Sequence, residues 1–234
     1  MRLEVYDDAL LLYHSEEKDI VLVQHMIENL FFVKKVIRRK LDLSLYQMLA
    51  NHPHHNLANV VEVSYSYEKT VVIEEFVNSC TLEYKLSQRK FTISEFLHIM
   101  KQLFDVIMHL HTLPIPIIHR DIKPDNILID KQKYLIDFEI AKLMRNPKDI
   151  IRTGSEGYAA PEQYHGISDQ RSDIYSMGIL LHELWMHTQN GDSYHCDLQA
   201  IIVKSTAVDA AKRYQSIAEM RTAFLKSKIN LQNR

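Results

Sequence analysis

The first 150 residues contain no glycine; all five glycines (Gly154, Gly157, Gly166, Gly178 and Gly191) come later. Tight turns in that long stretch must therefore be built from Asn, Asp, Ser and Pro. It also excludes any phosphate-cradling loop that depends on glycine in the N-terminal part of the chain. Cysteine is scarce too, with only Cys80 and Cys196. Two distant thiols make no disulfide framework, so a reducing, cytoplasmic compartment is expected. The N-terminal run Leu10–Tyr13 is too short for a signal peptide, and the run Met177–Trp185 is broken by His182 and Glu183. Neither reaches the roughly 18 to 20 apolar residues of a membrane span. Formal net charge is -2, close to balance. Nucleic acid and anionic membrane are accordingly not expected as partners.

The chain has 234 residues, 46% hydrophobic and 25% charged, enough for one large domain or two small lobes. Runs rich in Leu, Val, Ile and Phe at Ala9–Tyr13, Asp19–His25 and Asn29–Ile37 predict strands. Over Leu41–Ala50 the period changes: Leu45, Tyr46 and Leu49 follow Asp42 by three, four and seven residues, which is one helical face. Val60–Tyr67 and Thr70–Phe76 predict two more strands. From residue 94 helices dominate, the first capped by Ser94 and running through Leu110. Short strands are expected at Ile127–Ile129 and Lys133–Ile136, then a long loop to about Ala160. Helices follow at Asp173–His187, Leu198–Ser205 and Ser216–Lys226. This order predicts an α+β fold with a small antiparallel-sheet lobe (1–77) and a mainly helical lobe (78–234), joined by a hinge at about 74–80.

The block His119-Arg120-Asp121-Ile122-Lys123-Pro124-Asp125-Asn126 carries the chemistry. Asp137-Phe138-Glu139 follows eleven residues after Asn126, and Ala160-Pro161-Glu162 comes later. The ordered set resembles the protein-kinase signatures H-R-D-x-K-x-x-N, D-F-G and A-P-E. Taken singly, Asp121, Asn126 and Asp137 read as ordinary turn caps; taken together they resemble a eukaryotic-like (Hanks-type) Ser/Thr protein kinase along essentially the whole chain. The resemblance implies a two-lobed protein-kinase-like fold that transfers the γ-phosphoryl of ATP to a protein hydroxyl, with autophosphorylation. Asp121 would orient the substrate hydroxyl and accept its proton, and Lys123 would neutralise the γ-phosphate. Asn126 and Asp137 would hold Mg²⁺, with Mn²⁺ as an alternative. Lys123 implies Ser/Thr rather than Tyr as acceptor. It also sets the chain apart from small-molecule kinases, which carry H-G-D and lack both that lysine and the Ala-Pro-Glu segment. The run Ala159–Tyr164 resembles bacterial members.

Other residues take roles by the same resemblance. Phe31–Val36 is similar to the V-A-I-K strand, with Lys34 read as the phosphate-contacting lysine and Lys35 as its solvated neighbour on the opposite face. The usual Glu partner is missing, since no Glu lies between Glu28 and Glu62. Asp42 either replaces it or simply caps the helix. Glu74–Leu82 resembles the hinge, which implies adenine contacts through the Glu75 carbonyl and the Val77 amide and places Glu74 at the back of the pocket. Gly154–Tyr158 resembles the substrate-receiving G-T-x-x-Y stretch. Ser155 would then bond Asp121 and Lys123, and Thr153 is either an autophosphorylation site or a plain loop residue. Glu162 is expected to pair with Arg213, and Asp173 to brace the catalytic loop. His52-Pro53-His54-His55 resembles a family turn rather than a metal site.

Two departures stand out. Ser15-Glu16-Glu17-Lys18-Asp19 stands where the Gly-rich loop belongs, and Glu139 replaces the glycine of D-F-G. They motivate an alternative, a pseudokinase acting as a nucleotide-sensing or scaffolding module. Only Thr188–Cys196 separates two C-terminal helices, where the family often has an extra helix. That brevity implies minimal substrate docking or recognition through a regulatory partner protein.

Overall fold

A computed structural model describes residues 5–130, 133–145, 154–189, 191 and 195–227. Thr153, read as either an autophosphorylation site or a plain loop residue, lies outside the described residues. The chain divides into two compact units, Met1–Asn78 and Ser79–Arg234.

In the first unit, β1 (Tyr6–His14), β2 (Lys18–His25) and β3 (Phe31–Ile37) precede helix α1 (Leu43–Asn51), and β4 (Val60–Ser66) and β5 (Lys69–Glu75) follow it. The strands form one antiparallel sheet in the order β1-β2-β3-β5-β4. α1 lies against β4 and buries Leu45, Tyr46 and Leu49, the face its periodicity predicts. Asp42 is its N-cap: the carboxylate accepts from the Ser44 amide at 3.0 Å and from the Ser44 hydroxyl.

The second unit opens with β6 (Cys80–Thr81), α2 (Leu82–Gln88) and the long helix α3 (Ile93–Thr112). α3 is capped by Thr92 rather than Ser94, and Glu95 completes a capping box. The sequence reading overlooked this because two hydroxyl residues stand two apart. Glu95 decides between them, since a capping box needs its acid three residues after the cap. The strands β7 (Ile117–Ile118), β8 (Ile127–Ile129), β9 (Lys133–Leu135) and β10 (Lys142–Leu143) make two small sheets, β6-β8-β9 and β7-β10.

Three more helices lie among the described residues of this unit: α4 (Gln170–Met186), α5 (Cys196–Ser205) and α6 (Ile217–Lys226). α4 starts three residues before the predicted Asp173, because Asp169 provides the cap. α3 packs on α4 and α6, with Phe96 against Trp185 at 5.6 Å and Phe104 against Phe224 at 5.3 Å between ring centroids. A core helix such as α4 buries apolar residues on most of its circumference (Ile174, Met177, Leu180, Leu181, Leu184, Trp185). It therefore offers a rigid, water-free support for whatever its first turn holds. No helix among the described residues is long and apolar enough to cross a membrane.

Candidate active site

Residues 119–126 form the loop between β7 and β8. Its start is fixed from α4. Asp173, fully buried in the first turn, accepts the amides of His119 at 2.9 Å and Arg120 at 2.8 Å, and its carboxylate also lies 2.8 Å from His111 Nε2. Burial alone would raise the Asp173 carboxyl, but the His111 hydrogen bond, its charge and the loop amides hold it below its usual range. Arg120 is thereby kept at φ 69°, a conformation non-glycine residues seldom adopt. The Gln163 side chain donates to the Arg120 carbonyl at 3.0 Å, and the Arg120 guanidinium to the Ile140 carbonyl. Strain of this kind persists only where several contacts enforce it, and such places cluster at functional sites.

At the loop centre, Asp121 meets three of the residues singled out in the sequence. Asn126 Nδ2 donates to Asp121 Oδ2 at 2.8 Å and to the Asp121 carbonyl at 2.9 Å. Ser155 Oγ donates to Asp121 Oδ1 at 2.6 Å. Lys123 Nζ donates to Ser155 Oγ at 2.7 Å and lies 3.4 Å from Asp121 Oδ2. A carboxylate, an ammonium, a hydroxyl and an amide thus converge within hydrogen-bonding reach of one another. Because both bonds to Asp121 use the amide nitrogen, the remaining acceptor of Asn126 is Oδ1.

The β8–β9 hairpin brings Asp137 to the same end of the loop. Ile127 pairs with Leu135, and the Ile136 amide donates to the Asn126 carbonyl at 3.0 Å, so Asp137 follows directly on Asn126's partner. Asp137 also has a positive φ, 66°, and its carboxylate accepts the Glu139 amide at 3.3 Å. Beside it, His119 Nε2 lies 3.1 Å from the Ile136 carbonyl, and its ring meets Phe138 edge-on at 4.8 Å. Burial pushes the imidazole pKa of His119 down, which favours the neutral ring. Below the loop, Arg213 makes a two-pronged pair with Glu162 at 2.8 Å on both oxygens, and Ser172 Oγ donates to the same carboxylate.

The first unit departs from the sequence reading at one point. Lys34 does not meet Asp42, which is occupied as a helix cap; its ammonium pairs with Asp8 on β1. Lys35, read as solvated, is the buried lysine of β3, with Nζ 2.7 Å from Glu74 Oε2. The physical reason is register. Val33 faces Glu74 and Lys35 faces Val72 across β3 and β5, so Lys35 and Glu74 share one face of the sheet. Lys34 takes the other face, as does Asp8. A signal for Lys35 was available: V-A-I-K also fits Phe32-Val33-Lys34-Lys35. Glu75 ends β5 tied to Asn59, whose amide nitrogen Nδ2 donates to it at 2.9 Å, and Val77 follows.

The β1–β2 turn is held by its own serine. Ser15 Oγ accepts the amides of Glu17 and Lys18 at 3.3 and 3.1 Å, and the Ser15 amide donates to the Lys18 carbonyl at 2.9 Å. Amides that a glycine-rich loop would turn outward are here engaged within the turn.

Known proteins resemble this chain along most of its length. The family model for the protein kinase domain matches residues 13–233. The serine/threonine-protein kinase PrkC of Bacillus subtilis is 30% identical over 79% of this chain and 34% of its own length. The calcium/calmodulin-dependent protein kinase cmkA of Emericella nidulans is 34% identical over 61% of this chain and 36% of its own. PknB of Mycobacterium leprae, also a serine/threonine-protein kinase, is 32% identical over 47% of this chain and 23% of its own. The chain belongs to the protein kinase family. It spans about a third of the length of the first two of these relatives.

Proposed function

We propose that this chain transfers the γ-phosphoryl group of ATP to a serine or threonine hydroxyl of a protein, its own loop included. The observation that carries the reading is the arrangement at Asp121. Asn126 and Ser155 fix both carboxylate oxygens, so Asp121 is aimed before any substrate arrives. An incoming hydroxyl would take the position of Ser155's or share it, give its proton to Asp121, and attack in line. Lys123, already paired with Ser155, would neutralise charge growing on the transferred group.

Oxygen donors fit a hard divalent cation. Asn126 Oδ1 and the Asp137 carboxylate are such donors, and one or two of them suffice where phosphates and waters complete the shell. Mg²⁺, with Mn²⁺ as a substitute, would supply charge neutralisation at the phosphates when bound. In the first unit, Lys35 takes over from Lys34 as the lysine we assign to the α- and β-phosphates. The Glu75 carbonyl and Val77 amide remain the assigned adenine contacts. Two free thiols, Cys80 and Cys196, support a cytoplasmic setting. The short connection from α4 to α5 supports recognition of protein substrate with help from a regulatory partner.

The test is incubation of the purified protein with Mg-ATP and a generic Ser/Thr-rich protein substrate, followed by intact mass and phosphosite mapping. An Asp121→Ala variant runs beside it. Phosphate appearing on serine or threonine with the native chain only is the expected result. Mg-ADP binding without transfer to either protein would overturn the reading in favour of a nucleotide-sensing pseudokinase.

A further inference from the structure

Lys35 and Glu74 leave only 7% and 6% of their side chains exposed, and their charged atoms are 2.7 Å apart. Taking two charges out of water is costly, and a well-packed apolar pair would serve stability as well or better. A charged pair in that position therefore points to a use for the charge itself. Helix α1 offers the lysine no carboxylate of its own: it contains neither Asp nor Glu, and its cap Asp42 is committed to Ser44. The partner comes instead from the neighbouring strand. β3 and β5 are hydrogen-bonded to one another, and their register sets Lys35 and Glu74 one diagonal step apart on one face.

We propose that Glu74 is the positioning residue for Lys35, holding the ammonium aimed for nucleotide phosphates from within the sheet. The inference rests on the kinase reading above, in which Lys35 contacts the phosphates. It adds a regulatory consequence. A lysine paired across two hydrogen-bonded strands keeps its partner wherever α1 sits, so displacement of that helix cannot switch the pair off.

Calorimetric titration with Mg-ADP and with adenosine separates the possibilities. The proteins compared are wild type, Glu74→Gln, Glu74→Asp, Lys35→Met and Lys35→Met/Glu74→Gln. Glu74→Gln should weaken Mg-ADP on the order of tenfold to a hundredfold, the worth of a hydrogen bond to a charged group. Adenosine, which has no phosphate, should lose far less. Glu74→Asp, which keeps the charge one methylene further back, should fall between; it carries the test should Glu74→Gln fail to fold. In the Lys35→Met background, Glu74→Gln should cost no further affinity. Equal losses for ADP and adenosine, or additive losses in the double variant, would overturn the inference and leave the kinase reading standing. A folded wild type that binds neither ligand would instead remove the nucleotide reading itself, and this inference with it.

Discussion

Ser155 Oγ donates to Asp121 Oδ1 at 2.6 Å across 34 residues of chain, and the same oxygen accepts from Lys123 Nζ at 2.7 Å. One hydroxyl therefore orients both the carboxylate of Asp121 and the ammonium of Lys123.

Replacing Ser155 by Ala should lower kcat on the order of tenfold to a hundredfold, because a hydrogen bond to a charged group is lost at the reacting centre. Ser155→Thr keeps the hydroxyl and should remain close to wild type. Steady-state kinetics on both variants decides this; unchanged kcat in Ser155→Ala would make the bridge incidental.

Asp173→Ala leaves the His119 and Arg120 amides buried without their acceptor and His111 without its partner. A loss of about 3–5 kcal/mol is expected, as for other buried charges deprived of a partner. Urea unfolding measures it. Where the variant still folds, the positive φ of Arg120 loses its main restraint, and phosphoryl transfer should fall much further than nucleotide affinity.

Gly178 faces α5. A Cβ there would stand 2.2 Å from Ser205 Oγ and 2.9 Å from both Ser205 Cβ and Thr206 Cγ2. Exchanging glycine for alanine inside a helix gains about 1 kcal/mol of propensity, whereas overpacking costs about 1–3 kcal/mol. The clash should win, so Gly178→Ala should melt below wild type. Gly178→Ala/Ser205→Gly, which removes two of the three close atoms, should recover part of the loss by differential scanning calorimetry.

Acid should weaken the second unit through Glu162. Burial would raise this carboxyl, but hydrogen bonds from Arg213, its own amide and Ser172 hold it below its ordinary value of 4.5. A carboxyl depressed in the folded state contributes stability that is fully present above the unfolded value and lost as pH falls through the folded one. Unfolding free energy attributable to this pair should therefore be flat from pH 7 to about 5 and decline below about 4.5. Glu162→Gln should be less stable at pH 7, since Arg213 is buried, and should show a shallower decline in acid. A parallel decline in both proteins would sink the assignment.

The chain itself determined more of the second unit than of the first. Asp121, Lys123 and Asn126 lie within six residues, so local sequence places them on one short loop whatever surrounds it. The five strands of the first unit, β8, β9 and most helices were legible from composition and periodicity, since the side-chain period of each element is fixed by its backbone geometry, whereas the two-residue strands β6, β7 and β10 and the short helix α2 were not. Boundaries at Thr92 and Asp169 were missed because a cap is defined by one hydrogen bond among several neighbouring candidates.

Lys34 and Lys35 mark what sequence could not decide. Adjacent residues on a strand point to opposite faces, so one of the two had to be buried, but nothing local says which. The choice is made by pairing between strands. Register sets Glu74 beside Lys35 and Asp8 beside Lys34, and a buried ammonium is tolerated only where a carboxylate waits for it. The two lysines were written in the sequence; which of them is buried against a carboxylate was decided by the pairing of the strands.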